Sequence, residues 1–273
     1  MAKSQPKKQR SKKEILNQIK QDSVVSNHSS AETVSIGWCD NGMVEGRFAT
    51  AIMAVLTEGP KVGINVVNHL RVNGNQIARQ RQALFDAWAG MGTDWLLWVD
   101  SDIIPTTQVV KMIWDAADKT NKPVVSGTYF VSNENEQTLM EPIPALYKET
   151  GDEFLTQPIH PLPQNQLIPV DISGFGLILM HKSIIAKVRE QAEGYSVFGE
   201  KQNPGSKFVS EDVAFCRYLK KAGIQMYAHT GALVQHMKTF SFDFNYYYVY
   251  WKGIQDKIIN RKPRVAPTDP KAK

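Results

Sequence analysis

Cysteine is almost missing from this chain of 273 residues: Cys39 and Cys216 are the only two. A pair of thiols builds neither a disulfide framework nor, by itself, a zinc site. A reducing, cytoplasmic setting is therefore the expectation, and the first 30 residues carry no hydrophobic signal region. Long apolar runs are missing too. The longest largely apolar stretch, Ile172 to Met180, falls far short of the roughly 18 residues of a membrane span, so no span is expected. Phosphate-cradling glycine patterns are also wanting. The first predicted strand ends in Cys39-Asp40-Asn41-Gly42, which is neither GxGxxG nor GxxxxGK followed by Ser or Thr. A dinucleotide dehydrogenase and a P-loop ATPase both lose weight. What is present, 42% hydrophobic and 22% charged residues, excludes a disordered, collagen-like or coiled-coil chain.

The net charge of +5 is unevenly spread. Residues 1–30 sum to +5 and residues 257–273 again to +5, so the middle carries −5. An acidic body with two basic ends argues against one broad nucleic-acid face, and fits tails that touch an anionic partner. Residues 1–32 read as a disordered basic tail and 256–273, with three prolines, as a second.

Between the tails, strand and helix patterns alternate. Thr33–Cys39, Lys61–Val67, Trp95–Val99 and Pro123–Phe130 are predicted strands. Val44–Thr57, Asn75–Ala89 and Thr106–Ala117 are the helices between them, the second with Ile77, Leu84, Phe85 and Trp88 on one side. The wholly apolar Trp95–Val99 suits the middle of a parallel sheet. Beyond Phe130 the rhythm breaks into a Pro-rich stretch with a short strand at Ala145–Lys148. The pattern then predicts strands at Gly176–Met180, Ile224–Ala228 and Ala232–Gln235, and helices at Lys182–Ala192 and Glu211–Ala222. The expected class is α/β: one domain built on a mostly parallel, doubly wound sheet completed by the second half.

Ligands of open α/β sheets bind at the carboxyl ends of strands, so the chemistry is sought there. The third strand ends in Asp100-Ser101-Asp102. Two charges at a buried strand end need compensation, and a divalent cation supplies it; a helix cap beside a solvated acid accounts for the same pair. Ser210-Glu211-Asp212 opens an amphipathic helix, where acids suit the positive helix end and one carboxylate facing a pocket is a candidate general base. His236 follows an apolar strand, and an imidazole beside a carboxylate favours manganese over magnesium. The other five histidines show no ligand spacing, and Cys39 has no adjacent base to make it a nucleophile. The aromatic run Phe240–Trp251 packs the C-terminal segment or stacks on a sugar or base.

In order, the strand ending in Asp100-Ser101-Asp102, then Val-Asp-Ile-Ser-Gly174-Phe175-Gly176-Leu-Ile-Leu-Met, then Ser-Glu211-Asp212-Val-Ala-Phe-Cys, then Ala-Leu-Val-Gln-His236 resemble the GT-A-fold, family-2-like glycosyltransferases, especially compact phage and bacterial ones. The resemblance spans roughly Val34 to Phe242. It implies a nucleotide-binding half at 33–130 and an acceptor half at 131–255. It further implies a nucleotide-sugar donor, a metal (Mn2+ or Mg2+) at Asp102 and His236, and Asp100 near the ribose or the metal's water shell. Asp212 becomes the candidate base with Glu211 in support, Cys39, Asp40, Asn41 and Ser101 lie on the donor side, and Gly174, Phe175 and Gly176 line the acceptor side. Ile77-Ala78-Arg79-Gln80 looks like the family's Ala-Arg-Asn element with Gln80 in place of Asn, which would turn Arg79 to the donor. The loop at 39–41 lacks the family's common Pro-x-Tyr-Asn form. The acceptor (protein, glycan or modified nucleic acid) stays open, as does inversion against retention; a phage-encoded copy would work in the host cytoplasm.

Two other classes compete. A sugar nucleotidyltransferase also uses metal-binding aspartates on an α/β sheet, but its Gly- and Arg/Lys-rich loop after the first strand has no counterpart in Cys39–Gly46. A nucleic-acid-binding protein working through its tails would have to tolerate the acidic body.

Overall fold

The computed structural model describes residues 28–29, 31–132, 142–202, 208–238, 248 and 251–252. Most of both expected tails, and most of the run 240–251, lie outside them. The chain divides into a large unit, Met1–Ser132 with Pro142–Met237, and a small one, Asn133–Glu141 with Lys238–Lys273.

At the centre of the large unit is a seven-stranded sheet. The strands are β1 (Val34–Asp40), β2 (Val66–Asn73), β3 (Trp95–Val99), β4 (Val124–Thr128), β5 (Leu167–Val170), β6 (Leu177–His181) and β7 (Met226–Leu233), arranged β5-β7-β4-β6-β3-β1-β2. The helices are α1 (Gly46–Glu58), α2 (Ile77–Met91), α3 (Thr107–Ala116), α4 (Ile185–Gln191) and α5 (Glu211–Lys221). β1, β2, β3, β4 and β7 run one way, and β5 and β6 run against them. The sheet is thus mostly parallel, and the second half of the chain completes it. β6 is inserted antiparallel between β3 and β4, so Trp95–Val99 has one parallel and one antiparallel neighbour.

Layers cover both faces. Alternation along β3 sends Leu96 and Trp98 into one core with Leu84, Phe85 and Trp88 of α2 and Phe215 of α5. It sends Trp95, Leu97 and Val99 into the other, with Phe48, Ile52 and Val55 of α1 and Ile113 and Trp114 of α3. All five residues of β3 are fully enclosed, which explains its unbroken apolar run. His28, expected within the tail, stacks on Trp114 at 3.7 Å, and its Nδ1 lies 3.0 Å from Glu32 Oε2.

Three sequence expectations need correcting. The segment Lys61–Val67 is not a strand: Gly59–Val62 forms a 3-10 turn closed by Gly63 at φ 85°, and β2 starts only at Val66. Pro60 has no N–H to give a ladder, while Val66–Asn73 alternates half-buried and exposed, as an edge strand does. The two strands predicted at 224–228 and 232–235 are one, β7, with a register irregularity between Ala228 and Leu233, followed by the two-residue strand Gln235–His236. The helix predicted from Lys182 begins as a 3-10 turn, Lys182–Ile184, before α4.

Candidate active site

The carboxyl ends of β1 and β3 open onto a cavity of about 800 Å3 whose walls include Cys39, Asp40, Asn41, Asn75, Ser101 and Asp102. The expected donor-side residues Cys39, Asp40, Asn41 and Ser101 therefore share one space with Asp102, the expected metal ligand. Their side chains differ in availability. Asp40 is buried and receives Arg71 Nε at 2.6 Å, Arg71 Nη2 at 2.9 Å, Trp38 Nε1 at 3.0 Å and Gly42 N at 2.8 Å. The Arg71 guanidinium holds this carboxyl below the ordinary range against the opposing effect of burial. Asp40 thus fixes the loop at the end of β1. Burial, with the Asp100 charge behind it, pushes the Cys39 thiol up to about 12, far from a nucleophile. Gln80 Nε2 donates to the Asp40 and Val72 carbonyls at 2.7 and 3.2 Å, tying the ends of β1 and β2 together.

Arg79 is exposed and lines a neighbouring cavity of about 830 Å3. The cation that meets the carboxylates is Arg81, which the motif likeness passes over. Its side chain is 6% exposed. Nη2 donates to Asp100 Oδ2 at 2.9 Å, Nη1 lies 3.0 Å from Glu211 Oε1, and the guanidinium stands 5.0 Å over the Phe175 ring. The signal is present in the chain: Arg81 lies one helical turn before Phe85, on the stripe that buries Leu84 and Trp88. Asp100 also accepts from Trp98 Nε1 at 3.2 Å. Burial raises the carboxyls of both Asp100 and Glu211; Arg81 opposes this at each, while the neighbouring aspartates Asp102 and Asp212 add to it. Three acids, Asp100, Glu211 and Asp212, thus act on the one buried guanidinium of Arg81.

Glu211 and Asp212 open α5 with Ser210 at the N-cap position. Glu211 turns inward to Arg81. Asp212 is half-buried and its Oδ1 accepts from the Ser210 hydroxyl and from Val213 N, at 2.8 Å for the latter. The Ser210 hydroxyl serves Asp212 in place of capping a backbone N–H.

His236 is brought to Asp102 by a two-stranded ribbon in which Gln235–His236 pairs antiparallel with Ile103–Ile104. Met237 N donates to the Asp102 carbonyl at 2.7 Å. His236 Nδ1 donates to the Phe130 carbonyl at 2.8 Å, and Nε2 lies 3.0 Å from Asp102 Oδ2. With the proton on Nδ1, a neutral ring turns its Nε2 lone pair toward a carboxylate. Two acceptors at that distance require a positive charge, either a second ring proton or a cation. Two ligands at right angles with bonds of about 2.1 Å would stand about 3 Å apart, so the pair fits one cation. Asp100 does not join them: its oxygens face Arg81 and Trp98. Among the described residues, no three His, Cys, Asp or Glu side chains gather into a metal site.

The Gly174-Phe175-Gly176 segment has a partner that the sequence does not announce, Tyr129. A Cβ on Gly174 would stand 2.0 Å from the Tyr129 hydroxyl, and one on Gly176 2.6 Å from its ring. The glycines let the tyrosine lie flat on the backbone. Its hydroxyl is raised well above its ordinary pKa by burial first and then by the charges of Asp100 and Asp212. Phe175 points the other way, into an aromatic cluster with Trp98, Phe198 and Phe215, so its side chain is core and lines no acceptor surface.

Among the described residues no helix is long and apolar enough to cross a membrane. No known family model matches the chain, and neither does any curated protein sequence. Solved structures do match. GalNAc-T7, crystallised with UDP, GalNAc and Mn2+, superposes with a TM-score of 0.51 at 10% identity over 77% of this chain and 44% of its own. A glycosyltransferase involved in glycosylation of the major capsid of PBCV-1 matches with a TM-score of 0.41 at 14% identity, over 77% of this chain and 94% of its own. This chain spans less than half the length of GalNAc-T7. Its fold is GT-A-like, the fold of glycosyltransferases.

Proposed function

We propose that this protein is a glycosyltransferase that moves a sugar from a nucleotide-sugar donor to an acceptor, with a divalent cation held by Asp102 and His236. The observation that carries this reading is the Asp102–His236 pair, 3.0 Å apart, with Asp102 on the wall of the cavity at the β1 and β3 ends. The GT-A-like fold supports it, and GalNAc-T7 is crystallised with UDP and Mn2+. Imidazole beside carboxylate suits Mn2+, with Mg2+ as the alternative. The cation, when bound, would offset the charge that develops on a nucleoside diphosphate leaving group.

The chain's own residues do the rest. The loop Cys39–Asn41, fixed by Asp40 and Gln80, borders the base and ribose. Ser101 lies on the same wall, and Asp100, oriented by Arg81, sits behind it. Asp212, with Oδ1 held by Ser210, receives the acceptor proton through Oδ2 as the acceptor oxygen attacks in line, which gives inversion. Glu211 acts through Arg81 as a positioning residue. Tyr129, packed on Gly174 and Gly176, walls the acceptor side.

The test is calorimetric titration with UDP, GDP, ADP and CDP, each with Mn2+ and with EDTA. One nucleotide should bind with Mn2+ and lose at least ten-fold with EDTA, and Asp102→Ala should abolish the dependence. Binding of none, or binding indifferent to the metal, overturns the reading. Product formation from a nucleoside triphosphate and a sugar phosphate would move the protein to the nucleotidyltransferases.

A further inference from the structure

A third cavity, of about 1060 Å3, lies over the outward face of α5. It has no place in the donor chemistry. Ala214, Arg217, Tyr218 and Lys221 form its floor, and the segments 149–153 and 195–201 form its walls. It shares Ser196, Gly199 and Glu200 with the cavity beside Arg79, which in turn shares Asn75 and Ile77 with the donor cavity. The three cavities therefore adjoin in series, and Asp102 is on the wall of the last. Glu200, on the shared wall, adds its charge to the field at Glu211.

Tyr195 stands in this wall 80% exposed, yet its backbone is fixed on both sides. Glu193 and Gly194 both adopt left-handed conformations, at φ 51° and 86°, and Tyr195 N donates to the Ala192 carbonyl at 2.8 Å. Immediately after it, Gln82 Oε1 accepts from Ser196 Oγ and Val197 N, both at 2.8 Å, and Phe198 is core. A non-glycine residue at positive φ is strained, and here the strained turn presents a large ring to solvent. A rigid exposed aromatic with few rotatable bonds is an economical contact surface for a ring-shaped ligand. Tyr218 offers a second ring in the floor.

The charge of the cavity points to what that ligand is. Among the described residues its lining holds four acids and four bases, many of them mutually paired: Glu149 receives Arg217 Nε at 2.9 Å and Lys220 Nζ, and Glu153 receives Lys201 Nζ at 2.7 Å. Such pairs present alternating donors and acceptors with no net charge, which suits the hydroxyls of a neutral polyol and gives no attraction for a polyanion. We infer that this cavity is a remote acceptor subsite for a neutral oligosaccharide, with a pyranose ring stacked on Tyr195 and the chain running along the shared wall toward the cavity at the β1 and β3 ends. This rests on the glycosyltransferase reading for its reaction, though not for its binding.

The full chain would be titrated with cello-, chito-, malto- and mannopentaose, and separately with a single-stranded oligothymidylate and an acidic peptide. Tyrosine ring resonances and calorimetry provide the readout, and Mn2+–UDP titrations run on the same samples. At least one pentasaccharide should bind saturably, about ten-fold more weakly in Tyr195→Ala and near normally in Tyr195→Trp, with nucleotide binding unchanged throughout. Absence of pentasaccharide binding up to millimolar concentration, binding indifferent to Tyr195→Ala, or a preference for the oligothymidylate or the peptide at this cavity overturns the subsite. If nucleotide binds while pentasaccharides do not, this inference falls alone. If pentasaccharides bind through Tyr195 while no nucleotide does, the subsite stands and the transferase reading falls.

Discussion

Arg81 Nη2 lies 2.9 Å from Asp100 Oδ2, and this buried ion pair joins α2 to the end of β3. Through Nη1 the same guanidinium reaches Glu211 at the start of α5. Three elements distant in sequence thus converge on one cation, which sets the spacing of Asp100 and Glu211.

Removing that cation leaves two buried carboxylates uncompensated. Arg81→Gln should cost about 3–5 kcal/mol at neutral pH, the range for breaking a buried pair from one side. Burial already raises both carboxyls and Arg81 is what opposes it, so in the variant they should take up protons at higher pH than in the parent. The deficit should therefore shrink on acidification, as the carboxyls take up protons. Urea unfolding of parent and variant at pH 8 and pH 5 measures this. A deficit that is equal at both values would mean that the loss is one of packing over Phe175 alone.

The two acids that open α5 should separate by role. Asp212→Asn should lower kcat by roughly 10²–10⁴-fold with donor affinity nearly unchanged, as for loss of a general base. Glu211→Gln, which acts through Arg81, should instead shift the pH profile and lower stability, with a smaller loss of kcat. Single-turnover transfer with Mn2+ and the identified donor distinguishes them. Near-normal turnover in Asp212→Asn would move the base to Glu211 or favour a retaining route.

Where the sequence is legible, local chemistry decides the structure. Trp95–Val99 is readable to the residue because a strand enclosed on both faces has no polar position. Asp100, Asp102 and His236 stand out because strand ends are where such sheets bind ligands. The direction of β6 is not legible: Leu177–His181 is equally apolar on both faces, and nothing in it says whether its neighbours run with or against it. Val66–Asn73 escapes notice although it alternates, because Gly59-Pro60 reads as opening a strand when it starts a 3-10 turn that Gly63 closes. A motif likeness favours Arg79 over Arg81, while the burial stripe through Leu84, Phe85 and Trp88 points one residue pair along. Tyr129 cannot be foreseen, because its reason for being there is the missing Cβ atoms of Gly174 and Gly176.

That last relationship is itself testable. In Gly174→Ala the new Cβ would stand 2.0 Å from the Tyr129 hydroxyl and 2.9 Å from the ring carbon that bears it. The tyrosine must move, at a cost of about 1–3 kcal/mol for overpacking. Tyr129→Phe removes the oxygen and most of the clash, so the double variant should recover a large part of the loss. A double-mutant cycle by thermal unfolding reads the coupling. Additive losses would show that the alanine acts elsewhere, for instance against Ala145, whose Cβ lies at 3.4 Å.

The opposite pole of the sheet yields a prediction in pH. Asp94 precedes β3 and is about three-quarters buried. Its Oδ2 accepts from Thr33 N at 2.9 Å and Thr33 Oγ at 3.0 Å, and its Oδ1 faces Lys182 Nζ at 2.8 Å. The one carboxylate therefore pins the entry to β1 and the exit from β6. Burial works to raise its pKa, but Lys182 and the two Thr33 bonds outweigh it and hold it at about 2, from an ordinary value of 3.8. A folded value below the unfolded one gives stability that is fully present above the unfolded pKa and lost as pH falls through the folded one. At 1.36 kcal/mol per unit the contribution is about 2 kcal/mol at neutral pH. Asp94→Ala should thus be less stable than the parent by about 2 kcal/mol at pH 7 and still so at pH 5. The gap should close between about pH 4 and pH 2 as the parent's carboxylate takes up its proton. Urea unfolding of both proteins at pH 7, 5, 3.5 and 2.5 follows it. A gap that persists undiminished at pH 2.5 would show that the Thr33 and Lys182 contacts do not depend on the charge, and that Asp94 stabilises the sheet by shape alone.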